Sequence, residues 1–123
     1  MSVCLFKKTF IFVANLKMNL EKLRDYCLKL EGTTEDFPFD GTTLVFRING
    51  KIYALTDIED FRSVNLKCNP DKAIALRASY PEHILPGYHM NKKHWNTVIL
   101  DNYLSKSLIE EMIKDSYWLV RKK

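Results

Sequence analysis

At 123 residues, with 46% hydrophobic side chains, a net charge of +4 and a pI of about 8.9, the chain has apolar material for one core and one domain. No apolar run approaches the roughly 18 residues of a membrane-spanning helix. Cys4, Cys27 and Cys68 are an odd number without C-x-x-C spacing, which argues against a disulfide framework or zinc knuckle and for a reducing, cytoplasmic setting.

Charge is unevenly placed along the chain. Residues 1–17 carry three lysines and no acid, residues 18–60 five basic and nine acidic residues, and residues 61–123 eleven basic and six acidic. Such segregation is the pattern of an oriented electrostatic surface. In residues 1–17, the short apolar run 10–14 follows Lys7-Lys8, but Leu5-Phe6 precede the lysines and no small-residue cleavage site follows. That order does not fit a secretory signal. Two readings stay open: a tail or extra strand on the domain, or sequence upstream of a start at Met18. The second is favoured, because a helix opening follows Met18 directly, and the domain is read as 18–123.

Asn19 is a good N-cap, and Leu20, Leu23, Cys27 and Leu30 recur at helical spacing until Gly32 stops the helix. Residues 33–41 read as a loop from their Pro, Gly and acid content, with Phe37 and Phe39 expected to tuck onto the core. Strands 43–48 and 51–56 flank Asn49-Gly50, a strong two-residue hairpin signal. That turn predicts Ile48 opposite Lys51, Phe46 opposite Tyr53 and Leu44 opposite Leu55, with the last four buried and Val45, Arg47, Ile52 and Ala54 on the other face. Residues 63–68 alternate, with Val64, Leu66 and Cys68 inward.

Asn69-Pro70-Asp71 is a helix start, an N-cap followed by proline at the first helical position and an acid in the first turn. This helix runs to about Tyr80, with Ala73, Leu76 and Tyr80 on one face. Residues 97–100 form a strand and Asp101-Asn102 a turn. Ser105 caps a last helix with Leu108, Ile109, Met112, Ile113, Leu119 and Val120 on its apolar stripe. Hairpin-joined strands and interspersed helices predict an α+β, two-layer fold, an antiparallel sheet with helices packed on it.

The segment Gly87-Tyr88-His89-Met90-Asn91-Lys92-Lys93-His94-Trp95-Asn96-Thr97-Val98 is the most unusual stretch. A merely solvated loop more often uses Ser, Gly, Asp and Glu. Cationic, aromatic and amide side chains together suit an anionic partner with flat, hydrogen-bonding groups, which is a description of nucleic acid. Lys67, Lys92 and Lys93 would meet phosphates, Asn91, His94 and Asn96 would exchange hydrogen bonds, and Trp95 or Tyr88 would stack on a base or insert in a groove. Arg47 and Lys51 flank the hairpin tip and would touch the backbone.

Three stretches, 32–39, 64–68 and above all 87–98, resemble the MmcQ/YjbR family of small bacterial proteins, and the likeness covers about 18–121. The resemblance implies a fold like that of the CyaY and secretion-chaperone group, in the order α-β(3)-α-β(2)-α. It also implies DNA binding, proposed for the family through a double-wing arrangement. DNA is therefore the expected partner, bound without catalysis. The competing class is a protein- or peptide-interaction module of secretion-chaperone-like fold.

The other constellations are weaker. His83, His89 and His94 with Cys68 lack zinc spacing and neighbouring carboxylates. The frataxin-like likeness invites iron at Glu31, Glu35, Asp36, Asp40, Asp57, Glu59 and Asp60, but acidic runs are more often solvated faces. Cys68 falls on the inward set of its strand, so an inert thiol is expected. No enzyme, metal or cofactor is expected, and a monomer is favoured.

Overall fold

The protein is described here by a computed structural model, which covers residues 18–88 and 90–122. The expectations for residues 1–17 and for His89 lie outside these residues. Asn19 caps α1 (Leu20–Lys29), its side chain accepting the Lys22 N–H at 2.8 Å. Four strands follow: β1 (Thr34–Asp36), β2 (Thr43–Ile48), β3 (Lys51–Asp57) and β4 (Ser63–Lys67). Then come α2 (Pro70–Ser79), β5 (Ile84–Pro86), β6 (Trp95–Ile99) and α3 (Lys106–Arg121). The strands make one antiparallel sheet in the order β1-β2-β3-β4-β6-β5, so the fold is α+β as expected.

The strand β1 was expected to be loop. Its three residues pair along the edge of β2, with Thr34 opposite Arg47 and Asp36 opposite Val45. A fork from Arg24 on α1 holds it there, Nε to Glu35 Oε1 at 2.9 Å and Nη2 to Oε2 at 2.5 Å. Phe37 and Phe39 then do not tuck inward: they are 45% and 67% exposed. The reason is the tight turn after them, where Asp40 Oδ1 accepts the N–H groups of Thr42 (2.9 Å) and Thr43 (2.7 Å).

The hairpin turn has both central residues at positive φ, Asn49 at 53° and Gly50 at 78°, as a two-residue primed turn requires. Ile48 faces Lys51, but the register then slips: Arg47 is opposite Ile52 while Phe46 is opposite Ala54 and Leu44 opposite Thr56. The expected pairs Phe46–Tyr53 and Leu44–Leu55 do not form, because Tyr53 is the extra residue of a β-bulge. The bulge turns both Tyr53 and Ala54 into the core and moves Leu55 to the other face. Tyr53 meets the Tyr117 ring edge-on at 5.4 Å, and its hydroxyl lies 2.9 Å from Thr33 Oγ1 and 3.3 Å from the Cys27 carbonyl. Ser116 of α3 fills the break in the ladder: its hydroxyl accepts the Lys67 N–H at 2.9 Å and donates to the Tyr53 carbonyl at 2.5 Å.

The core lies between one sheet face and the helices. Leu23 and Cys27 of α1 and Ile109, Ile113 and Tyr117 of α3 pack with Phe46, Ala54, Val64, Leu66 and Val98 of the sheet. Alternation places Val45, Leu55, Asn65 and Thr97 in a row across the opposite face, and Lys67 opposite Trp95 beside them. No described helix is long and apolar enough to cross a membrane.

Candidate nucleic-acid interface

The site grows from the turn that leads into β6. Asn91 organises it: its side-chain Oδ1 accepts the Lys93 N–H at 3.0 Å, and its carbonyl accepts the N–H groups of His94 (3.1 Å) and Trp95 (3.0 Å). Such Asx geometry is what short amide side chains give at turns. Gly87 passes so close to β6 that its N–H reaches the Trp95 carbonyl at 2.8 Å, and a Cβ there would lie 2.7 Å from Trp95 Cβ. Arg77 of α2 pins the turn from beneath. Its Nε donates to Asn96 Oδ1 at 2.7 Å, and its Nη2 donates to the Trp95 carbonyl at 3.1 Å and to the Lys92 carbonyl.

The expected site residues fall into distinct places. Lys92 and Lys93 are exposed, and neither joins an ion pair among the described residues. Trp95 is half-buried on the opposite face, open in that no described helix joins a core there, with Lys67 Nζ 6.0 Å from its ring centroid. Asn91 is exposed, and His94 is half-buried with its carbonyl accepting the Cys68 N–H at 2.7 Å. Asn96, only 2% exposed, faces the helix layer and is held by Arg77. Arg47 braces the hairpin through Asp36 (3.2 Å) and the Gly50 carbonyl (3.1 Å), and Lys51 is exposed at the start of β3.

Topology brings these cations to one end of the sheet. Lys51 opens β3, Lys67 closes the antiparallel β4 and Trp95 opens β6, so all three lie at the hairpin-tip end with Lys92 and Lys93 beside them. Asp57, Glu59 and Asp60 lie at the other end, where β3 turns into β4. Topology sets this polarity: Lys51 comes from the acidic segment 18–60, and Arg62, paired with Asp60 at the far end, from the basic one.

Between the two ends the open face carries a concavity of about 460 Å³. Ile52 and Leu55 contribute apolar wall, Ser63, Asn65 and Asp57 polar groups, and Phe39, Tyr88, Met90 and Trp95 its large side chains. Phe39 and Tyr88 are 67% and 69% exposed. The sequence reading missed Arg77, whose position on a solvated-looking helix gave no local sign of its partners. It also missed the role of Phe39, which was expected inside.

A family model described as YjbR matches residues 28–119. The chain belongs to the YjbR family. It is 41% identical over 85 residues to the uncharacterized protein YbdF of Escherichia coli O157:H7, covering 68% of this chain and 69% of that one. It is 30% identical over 101 residues to YjbR of Escherichia coli strain K12, covering 81% and 85%. Among solved structures, a Deinococcus radiodurans protein with a DUF419 domain superposes with a TM-score of 0.82 at 44% identity, over 85% of this chain and 80% of that one. A Pseudomonas syringae protein gives 0.69 at 32% identity, over 85% and 100%.

The YjbR match spans the turn, the hairpin and the open face. Within it, the weaker constellations meet specific geometry. Burial pushes the Cys27 thiol up to about 12 and raises that of Cys68, so both are held protonated. His83 lies 3.1 Å from Asp101 and is stacked on Tyr103 at 4.2 Å. Glu35, Asp36 and Asp60 are each paired with an arginine. No group of three or more His, Cys, Asp or Glu side chains among the described residues could hold a metal ion.

Proposed function

We propose that this YjbR-family chain binds DNA without catalysis, through the basic end of its open sheet face. The observation that carries the reading is the pinned turn of Lys92 and Lys93. Two adjacent cations are exposed without acidic partners among the described residues, on a backbone fixed by Arg77 and beside the Lys67–Trp95 pair. Cations without acidic partners on a fixed backbone are suited to phosphate, since no ion pair has to be broken to engage them. Lys51 extends the strip across the hairpin, where Arg47 is paired with Asp36 and braces the turn. Asn96 takes no part, because its amide oxygen is committed to Arg77 inside the fold. Contacts are chiefly to the backbone, so affinity is modest and electrostatic.

The test is fluorescence anisotropy with labelled duplex and single-stranded DNA, titrated across salt concentrations with wild type and Lys92→Ala/Lys93→Ala. Wild-type affinity falls steeply with salt, and the double variant flattens the log–log slope by about 2. A folded wild type that binds neither DNA at low salt overturns the proposal. A second reading, a protein-interaction surface, draws on exposed Phe39 and Tyr88. Binding of that kind depends little on salt and survives loss of both lysines.

A further inference from the structure

We propose that the open-face concavity receives one unpaired nucleobase, from a single strand whose phosphates follow the basic end of the sheet. The inference rests on the nucleic-acid reading above and specifies its ligand. Its anchor is a short hydrogen-bond relay under the concavity. The Tyr88 N–H donates to Thr97 Oγ1 at 3.1 Å, so the single hydroxyl proton of Thr97 is directed elsewhere. It goes to Asn65 Oδ1, 2.5 Å away. That proton fixes which way the Asn65 amide points: its oxygen faces Thr97 and its NH₂ turns away. Asn65 lines the concavity, and no bond among the described residues uses that NH₂.

A donor held in one orientation at the base of an aromatic-walled depression matches the acceptor edge of a base. Trp95, Tyr88 and Phe39 supply the π surface on which bases stack regardless of sequence. The volume of about 460 Å³ lies in the range of small-ligand sites. In a duplex the ring faces are covered by their neighbours, so a depression on a sheet reaches a base only when it is unpaired. Charge complementarity selects a nucleic acid over an apolar peptide. Lys67 borders Trp95 and Lys92 and Lys93 lie beyond it, while Asp57 and Glu59 put negative charge at the far end, where Asp60 is paired with Arg62. The strand is thereby directed across β3, β4 and β6 at the Lys67 end.

Three probes test this: labelled dT15, an abasic 15-mer with the same phosphates, and thymidine monophosphate. The chain holds two tryptophans, so Trp118→Phe leaves Trp95 as the only one, excited selectively over the tyrosines, without altering the concavity. The expected result is dT15 bound at least about tenfold more tightly than the abasic strand, with Trp95 quenched at saturation. Asn65→Ala and Trp95→Ala each remove most of that difference while abasic binding persists. Quenching by the monophosphate identifies the free nucleotide as a second source of the base. Equal affinity for dT15 and the abasic strand, with Trp95 unmoved, overturns the base site and leaves DNA binding by the lysines standing. No binding of either strand by folded protein overturns both.

Discussion

Arg77→Met removes the support of the proposed interface while keeping side-chain length. Asn96 Oδ1 loses its donor in a place where the residue is only 2% exposed, so water does not replace it readily. An orphaned buried acceptor costs about 1–3 kcal/mol. The Lys92 carbonyl loses its bond nearer the surface, where water substitutes in part, at about 0.5–1.5 kcal/mol, while the Trp95 carbonyl keeps the Gly87 N–H. Together the loss is on the order of 1.5–4.5 kcal/mol, a large share of the roughly 5–15 kcal/mol that stabilises an ordinary domain. Urea denaturation with an unchanged m-value is the assay. The double variant Arg77→Met/Asn96→Leu removes both partners of the buried bond and recovers at least about 1 kcal/mol relative to additivity. Amide exchange at residues 91–95 speeds up in Arg77→Met more than exchange in α1. A loss below about 1 kcal/mol, or additive single effects, would refute the assignment of Arg77 as the anchor.

The remaining expectations concern the frame. Ser116→Ala leaves the Tyr53 carbonyl and Lys67 N–H unpaired beneath α3, costing about 2–4 kcal/mol in urea denaturation; a loss under about 1 kcal/mol would show that β3 and β4 re-pair without the hydroxyl. The hydrogen-bonded Arg24 guanidinium holds the Glu35 carboxyl below the usual carboxylate range against the opposing effect of burial. The native state therefore binds fewer protons there than the unfolded chain. This stabilisation is complete above the unfolded value of about 4.3 and is lost as pH falls through the lower folded value. Glu35→Gln should lower the Tm at neutral pH and converge with wild type in strong acid; a gap that does not shrink on acidification would contradict the linkage.

Features written in neighbouring residues were legible from the sequence. The caps at Asn19, Asn69 and Ser105 each accept from the first turn of their helix, because a cap needs only residues two or three positions away. The Asn49-Gly50 turn is equally local. The bulge at Tyr53 was not legible, since it is set by Tyr117 and Ser116, more than sixty residues further along the chain. Strand β1 depends on Arg24, and the committed state of Asn96 on Arg77. The segment 87–98 stood out by composition. It could not show that Asn96 points inward while Trp95 points outward, because its entry into β6 decides that parity.

The most direct measurement is a ¹H–¹⁵N correlation titration of the labelled protein with single-stranded DNA at low salt. Binding through the basic end shifts the amides of residues 91–97, 65–67 and 47–51 together, and leaves α1 and the solvent side of α3 unmoved. Shifts confined to the helix layer, or none at saturating DNA, would contradict the proposed interface.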